Sequence, residues 1–203
     1  MARKLGRDKT PEIQVDLSYH FEEMKLKKFN TFNIRTYSAS LVKEFYASIA
    51  LDENELDNLE DFISDGLNVF LNGKEFVVTA VDLGSLLKIG CKEGDYEILE
   101  NYDPSSLWEI ITGKKERYSS RSYASLIKSP HIRILHYFIT VNIHGRSGNF
   151  SYVSLQDIWL MEHAFNAAPL NLGRFMIKRM RGACQIDKVN LPYGNIISSL
   201  VKK

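Results

Sequence analysis

Four bases near the C-terminal end, Arg174, Lys178, Arg179 and Arg181, have the type and spacing that most directly suggest a task. Positions 174, 178 and 181 are separated by four and three, so on a helix they share one face. A row of guanidinium and ammonium groups suits the phosphates of DNA or RNA, because each contact releases condensed counterions. The same row also suits a solvated helix end, where cations complement the negative end of the helix dipole. Phe175, Met176 and Met180 point away from that row and are expected in a core.

Other chemistry finds fewer footholds. His131 and His136 are five apart, which turns them about 140° from each other on a helix, so one face cannot offer both to a metal. His144 and His163 have no partner at ligand spacing. Two cysteines, Cys91 and Cys184, are too few for a zinc module or a disulfide scaffold. No metal or cofactor is expected. The sequence lacks Gly-x-Ser-x-Gly, a P-loop and Gly-x-Gly-x-x-Gly, and no catalytic residue is assigned. A divergent metal-dependent nuclease or transposase fragment is the alternative. It needs two or three carboxylates around Mg²⁺, yet Asp157, Glu162 and Asp187 are the only acids after Glu116. Remote acids would have to meet in space. Seven acids with no base lie between Leu51 and Gly66. Without the spacing and glycine of a calcium loop, they read as a solvated acidic loop with a short helix around Leu56, Leu59 and Ile63.

Charge is divided along the chain. Residues 1–101 hold 12 Lys/Arg against 19 Asp/Glu, a balance of −7, and residues 102–203 hold 14 against 6, a balance of +8. A basic C-terminal half could meet nucleic acid, an acidic protein surface, or the acidic half of its own chain or of a second copy. No run of 18 apolar residues occurs, so no membrane span is expected. The basic start, with Arg3, Lys4, Arg7 and Lys9, has no apolar stretch behind it, so an intracellular chain, in nucleus or cytoplasm, is expected.

These residues must be positioned by helices. Residues 1–28 are charged and are expected to be disordered. Phe29 to Arg35 alternates as an extended approach. Leu41, Val42, Phe45, Tyr46 and Ile49 mark a helix over Ser40–Ala50, capped by Ser38 or Ser40. Leu67–Leu71, Asn72-Gly73 and Lys74–Val78 predict a hairpin, because Asn-Gly tolerates the positive φ angles of a tight turn. Thr79-Ala-Val-Asp82 is a capping box opening a helix that stops near Gly90. Leu107–Ile111 is a short helix with Trp108 in the core. Tyr118–Ser125, rich in Ser and Arg, admits a phosphorylation site or an RNA-type tail but reads as an ordinary surface loop.

Ser129-Pro130 starts a helix with a cap and proline at its first position. Its buried side is Ile132, Leu135, Phe138, Ile139 and Ile143, and it ends at Gly145. Ser154 to Asp157 forms a second capping box, and Leu155, Ile158, Trp159 and Phe165 make the core stripe of the helix that follows. Asn171 caps Leu172–Arg181 with Gly182 as the stop, and a last helix begins after Pro192.

Several of these segments, in order, resemble a known family. They are Leu41-Val-Lys-Glu-Phe-Tyr-Ala47, the hairpin and helix from Val69 to Leu87, Trp108, the Pro130 helix, Asn171-Leu-Gly173, and Leu191-Pro-Tyr-Gly-Asn-Ile-Ile-Ser-Ser-Leu200. Together they resemble the plant transposon protein domain, which occurs beside retrotransposon-derived sequence, over residues 29–203. The acidic insert at 52–65 and Asn142-Ile-His144 depart from the family pattern. A more distant likeness is to the plant mobile domain. The resemblance implies no activity and no catalytic residue.

The expectation is a mainly α single helical domain with one small β-hairpin. It would be a non-enzymatic part of a transposon-derived plant protein, acting in binding or assembly. Its partner would be nucleic acid or protein through the basic half, or a second copy through self-association.

Overall fold

A computed structural model describes residues 37–55, 66–89, 91, 93–115, 117–146, 150–184 and 191–200, the side chains of 50–55 excepted. The expectations for residues 1–36, for the acidic stretch 56–65 and for a stop at Gly90 lie outside these residues.

Helix α1 spans Ala39–Glu55 and buries Val42, Phe45, Tyr46 and Ile49. Ser38 Oγ accepts the Leu41 N–H at 3.4 Å. The helix runs past Ala50 into the acidic stretch, where no Pro or Gly interrupts it before Glu55. Strands β1 (Gly66–Leu71) and β2 (Lys74–Thr79) pair antiparallel, with Leu71 opposite Lys74. Asn72 and Gly73 both have positive φ, 51° and 75°, as a two-residue hairpin turn that follows the strand twist requires. Leu67, Val69, Leu71 and Val78 form the inner face, and β1 packs against α1.

Helix α2 (Ala80–Leu87) opens on the expected box. Thr79 Oγ1 accepts the Asp82 N–H at 3.1 Å, and Asp82 Oδ2 accepts the Thr79 N–H at 2.9 Å. It runs through Leu87 as expected and is closed by Lys88, whose φ of 59° places a non-glycine residue in the left-handed region. Helix α3 (Ser105–Thr112) buries Trp108 completely, with the Tyr118 ring edge-on at 5.7 Å. Helix α4 (Pro130–Phe138) starts on proline as expected, but Ser129 makes no side-chain capping bond. A π turn, Ile139–Ile143, continues α4.

Helix α5 (Leu155–Asn166) is the centre of the domain. Asp157, Ile158, Trp159, Leu160, Met161, His163 and Ala164 are all buried, so almost its whole circumference is covered. Helices α3 and α4 and the π turn pack on it. Helix α6 (Leu172–Cys184) packs on α2, α1 and the hairpin, and helix α7 (Gly194–Leu200) on α1. Asn171 Oδ1 caps α6 by accepting the Arg174 N–H at 3.0 Å. Gly182 does not stop α6, which continues to Cys184. The two halves of the core meet where the Trp159 ring stacks on Phe175, centroids 6.0 Å apart. The chain is mainly α-helical with one small β-hairpin.

Candidate functional site

Spacing alone scatters the histidines, yet two of them converge. His136 and His144 are eight residues apart. Two turns of α-helix take about 7.2 residues, so an unbroken helix would rotate His144 well past His136. The π turn absorbs close to one extra residue. His144 N–H donates to Ile139 O, five residues back, at 2.8 Å. Both rings then face the first turn of α5, where Asp157 occupies the third position of the Ser154 capping box.

Asp157 is completely buried and each carboxylate oxygen is occupied. Oδ1 lies 2.9 Å from His144 Nδ1. Oδ2 accepts from Arg146 Nη1 at 2.8 Å and from the Ser154 N–H at 2.9 Å, with His136 Nε2 at 3.5 Å. His136 Nε2 also sits 3.2 Å from Thr140 Oγ1, whose hydroxyl donates to the His136 carbonyl at 2.8 Å. Burial pushes the Asp157 carboxyl up. The hydrogen bonds from His136 and His144 and from the Ser154 backbone outweigh it and hold the group well below the usual carboxylate range. Burial pulls His144 below the usual imidazole range despite the bond to Asp157. At neutral pH the cluster is therefore a carboxylate paired with Arg146 and a neutral His144 donating from Nδ1. Its acceptor positions are filled from within. Among the described residues, no group of three or more His, Cys, Asp or Glu side chains is arranged to hold a metal ion.

The basic residues of α6 divide as their spacing indicates, and each has a partner within the chain. The Arg174 guanidinium lies over the Tyr96 ring, 5.5 Å from its centroid. Lys178 pairs with Glu97. Arg181 Nη2 donates to Gly66 O at 3.0 Å. Arg179, on the other side, donates from Nε to His144 O at 3.4 Å. The acidic half thus supplies contacts for three of the four. Residues 95–97 act as a strap across the junction of α5 and α6. Asp95 N–H donates to Pro169 O at 3.1 Å, Asn171 N–H to Asp95 O at 2.9 Å, and Asp95 Oδ2 lies 3.2 Å from His163 Nε2. Glu162, the one polar break in the core stripe of α5, accepts from the Tyr102 hydroxyl at 2.5 Å.

A second group of bases follows α3. Lys115, Arg117, Arg121 and Lys128 are all exposed and form no ion pair among the described residues. Lys115 and Arg117 share an open cleft with Asp103, Ser105 and Glu109. Hydrogen bonds from Ser105, side chain and backbone, hold the Asp103 carboxyl below its usual range. The sequence signal for this group was the run Lys114-Lys-Glu-Arg-Tyr-Ser-Ser-Arg121, which has no helical period to single it out.

No helix among the described residues is long and apolar enough to cross a membrane. No curated protein and no solved structure gives a significant match to the chain. Residues 10–168 match the ATHILA ORF-1 family, a span that includes residues 10–28 and covers more than half of the chain. The chain belongs to that family, which is associated with plant retrotransposons, in keeping with the resemblance to the plant transposon protein domain.

Proposed function

We propose that this transposon-derived chain is a non-enzymatic nucleic-acid-binding domain that acts through its basic C-terminal half. The observation that carries this reading is the +8 balance of residues 102–203 together with the exposure of Lys115, Arg117, Arg121 and Lys128, which form no ion pair among the described residues. Phosphates would supply close counter-charges to these exposed side chains, and at Arg117 would compete with the Asp103 carboxylate nearby. The α6 set, Arg174, Lys178, Arg179 and Arg181, adds positive potential. Each of its members would have to share or exchange an intramolecular partner to reach a phosphate. The test is anisotropy of a fluorescein-labelled 20-nucleotide RNA at 50 and 300 mM salt. Binding that weakens steeply with salt supports the reading, and no binding at 50 mM ends it.

Self-association is a second reading. Ile134 and Tyr137, one turn apart on α4, are each more than half exposed. A mass that rises above one chain with concentration in light scattering, and returns to one chain in Ile134→Lys, would support it. A constant monomer mass would remove it.

A further inference from the structure

We propose that the loop between α3 and α4, at residues 113–115 and 117–128, is the contact surface, and that its ligand is single-stranded rather than duplex nucleic acid. This rests on the nucleic-acid reading above and moves that function off α6.

The loop is a fixed platform. Its ends are joined where the Lys128 N–H donates to Ile111 O at 3.0 Å. The Lys128 ammonium lies over Gly113, where a Cβ would come within 2.3 Å of Nζ. The middle is pinned to the strand-like segment before α5. Tyr118 donates to Val153 O at 2.9 Å, Val153 N–H to Ser122 O at 2.9 Å, and Ala124 N–H to Ser151 O at 2.7 Å. Ser122 is buried between two exposed neighbours, so Arg121 and Tyr123 both face outward. Tyr123 packs on Tyr152, with centroids 4.7 Å apart and planes 35° apart, and it remains about half exposed at 49%.

An exposed aromatic two residues from the exposed Arg121, on a held backbone that also carries Lys115, Arg117 and Lys128, matches what a single strand offers. Its bases are unstacked and present π faces, and its phosphates follow at each step. A duplex keeps its bases stacked away from such a ring and would use the cations alone. Because the loop is already ordered by backbone bonds, little ordering entropy is lost on binding. The α6 bases differ in that each is held by a Tyr, Glu or carbonyl group of the same domain.

The experiment measures binding of labelled oligo-U 20-mer and of a 20-base-pair RNA duplex to the full chain and four variants. The variants are K115A/R117A/R121A/K128A, Y123A, Y123F and K178A, each checked for an unchanged thermal melt. The proposal expects oligo-U to bind more tightly than duplex. The quadruple variant should lose at least ten-fold in oligo-U affinity, and its log–log salt slope should fall in magnitude by ~2–3, at about 0.7 per phosphate contact. Y123A should lose about five-fold or more through lost stacking. Y123F, which keeps the ring, should recover the affinity that Y123A loses, and K178A, which removes one charge of the α6 potential, should lose no more than about two-fold. If neither probe binds the parent at 50 mM salt, the nucleic-acid reading itself falls. If oligo-U binds the parent and the quadruple variant alike, or the duplex binds as well as oligo-U with Y123A unaffected, that reading stands and this surface is overturned.

Discussion

Asp157 Oδ1 receives a hydrogen bond from His144 Nδ1 at 2.9 Å, joining the first turn of α5 to the end of the π turn with both side chains buried. The carboxylate that caps α5 is thereby also the anchor for the loop that precedes it. One side chain does local and long-range work, which makes it costly to change.

Replacing Asp157 with Ala would leave Arg146, His144 and the Ser154 N–H without their shared acceptor inside the core. Breaking a buried ion pair from one side typically costs about 3–5 kcal/mol. Urea unfolding should report a loss in that range for Asp157→Ala. A loss under about 1 kcal/mol would mean that the cluster is more open to water than the structure has it.

Stability should also fall on mild acidification. Because burial holds folded His144 below its ordinary range, the unfolded chain takes up a proton first as the pH drops through about 6.5. The contribution is full above that value and is lost below it, at up to about 1.4 kcal/mol per pH unit. Asp157, held ionised in the fold, adds a second loss beginning below about pH 4. Urea midpoints at pH 7.5, 6.5 and 5.5 test the first window. His144→Asn should flatten the profile there while leaving the loss below pH 4.

The two capping boxes share a sequence pattern but differ in surroundings. Thr79→Ala should cost about 1 kcal/mol, the ordinary value for a lost cap at an exposed helix start. Ser154→Ala should cost more, about 2 kcal/mol, the upper end of that range, because its Oγ bond to the Asp157 N–H at 3.1 Å fixes the buried carboxylate. Equal losses in thermal unfolding would argue that the two boxes act alike.

At Gly173, close packing decides the outcome. A Cβ there would meet Ala80 O at 2.5 Å, so α6 could not approach α2 as it does. Gly173→Ala should destabilise by about 1–3 kcal/mol, the usual cost of overpacking, despite alanine's better helix propensity. Gly182→Ala, with open space around its Cβ position, should stabilise α6 by up to about 1 kcal/mol. Paired denaturation curves of the two variants check both signs.

What the sequence determined by itself was local. Asn72-Gly73 can turn without strain, Thr79 and Ser154 can cap, Asn171 can close the start of α6, and Trp108 and Trp159 must be buried. Each follows from conformational preference or apolar periodicity within a few residues, and the hairpin, most helices and the mainly α class were legible for that reason. Helix ends were less legible. α1 continues into its acids, where no Pro or Gly interrupts it, and α6 passes Gly182 to the buried Ala183, because packing outweighs a single glycine's preference there. The convergence of His136, His144 and Arg146 on Asp157 was decided only by the tertiary structure. A π turn shifts the helical phase by about one residue, and nothing in residue types between 139 and 143 announces it. The same holds for the bases. Spacing put Arg174, Lys178 and Arg181 on one face. Only the folded chain brings Tyr96, Glu97 and Gly66 against them and, among the described residues, leaves Arg121 and Lys128 in no ion pair, since a partner is set by distance in space and not along the chain.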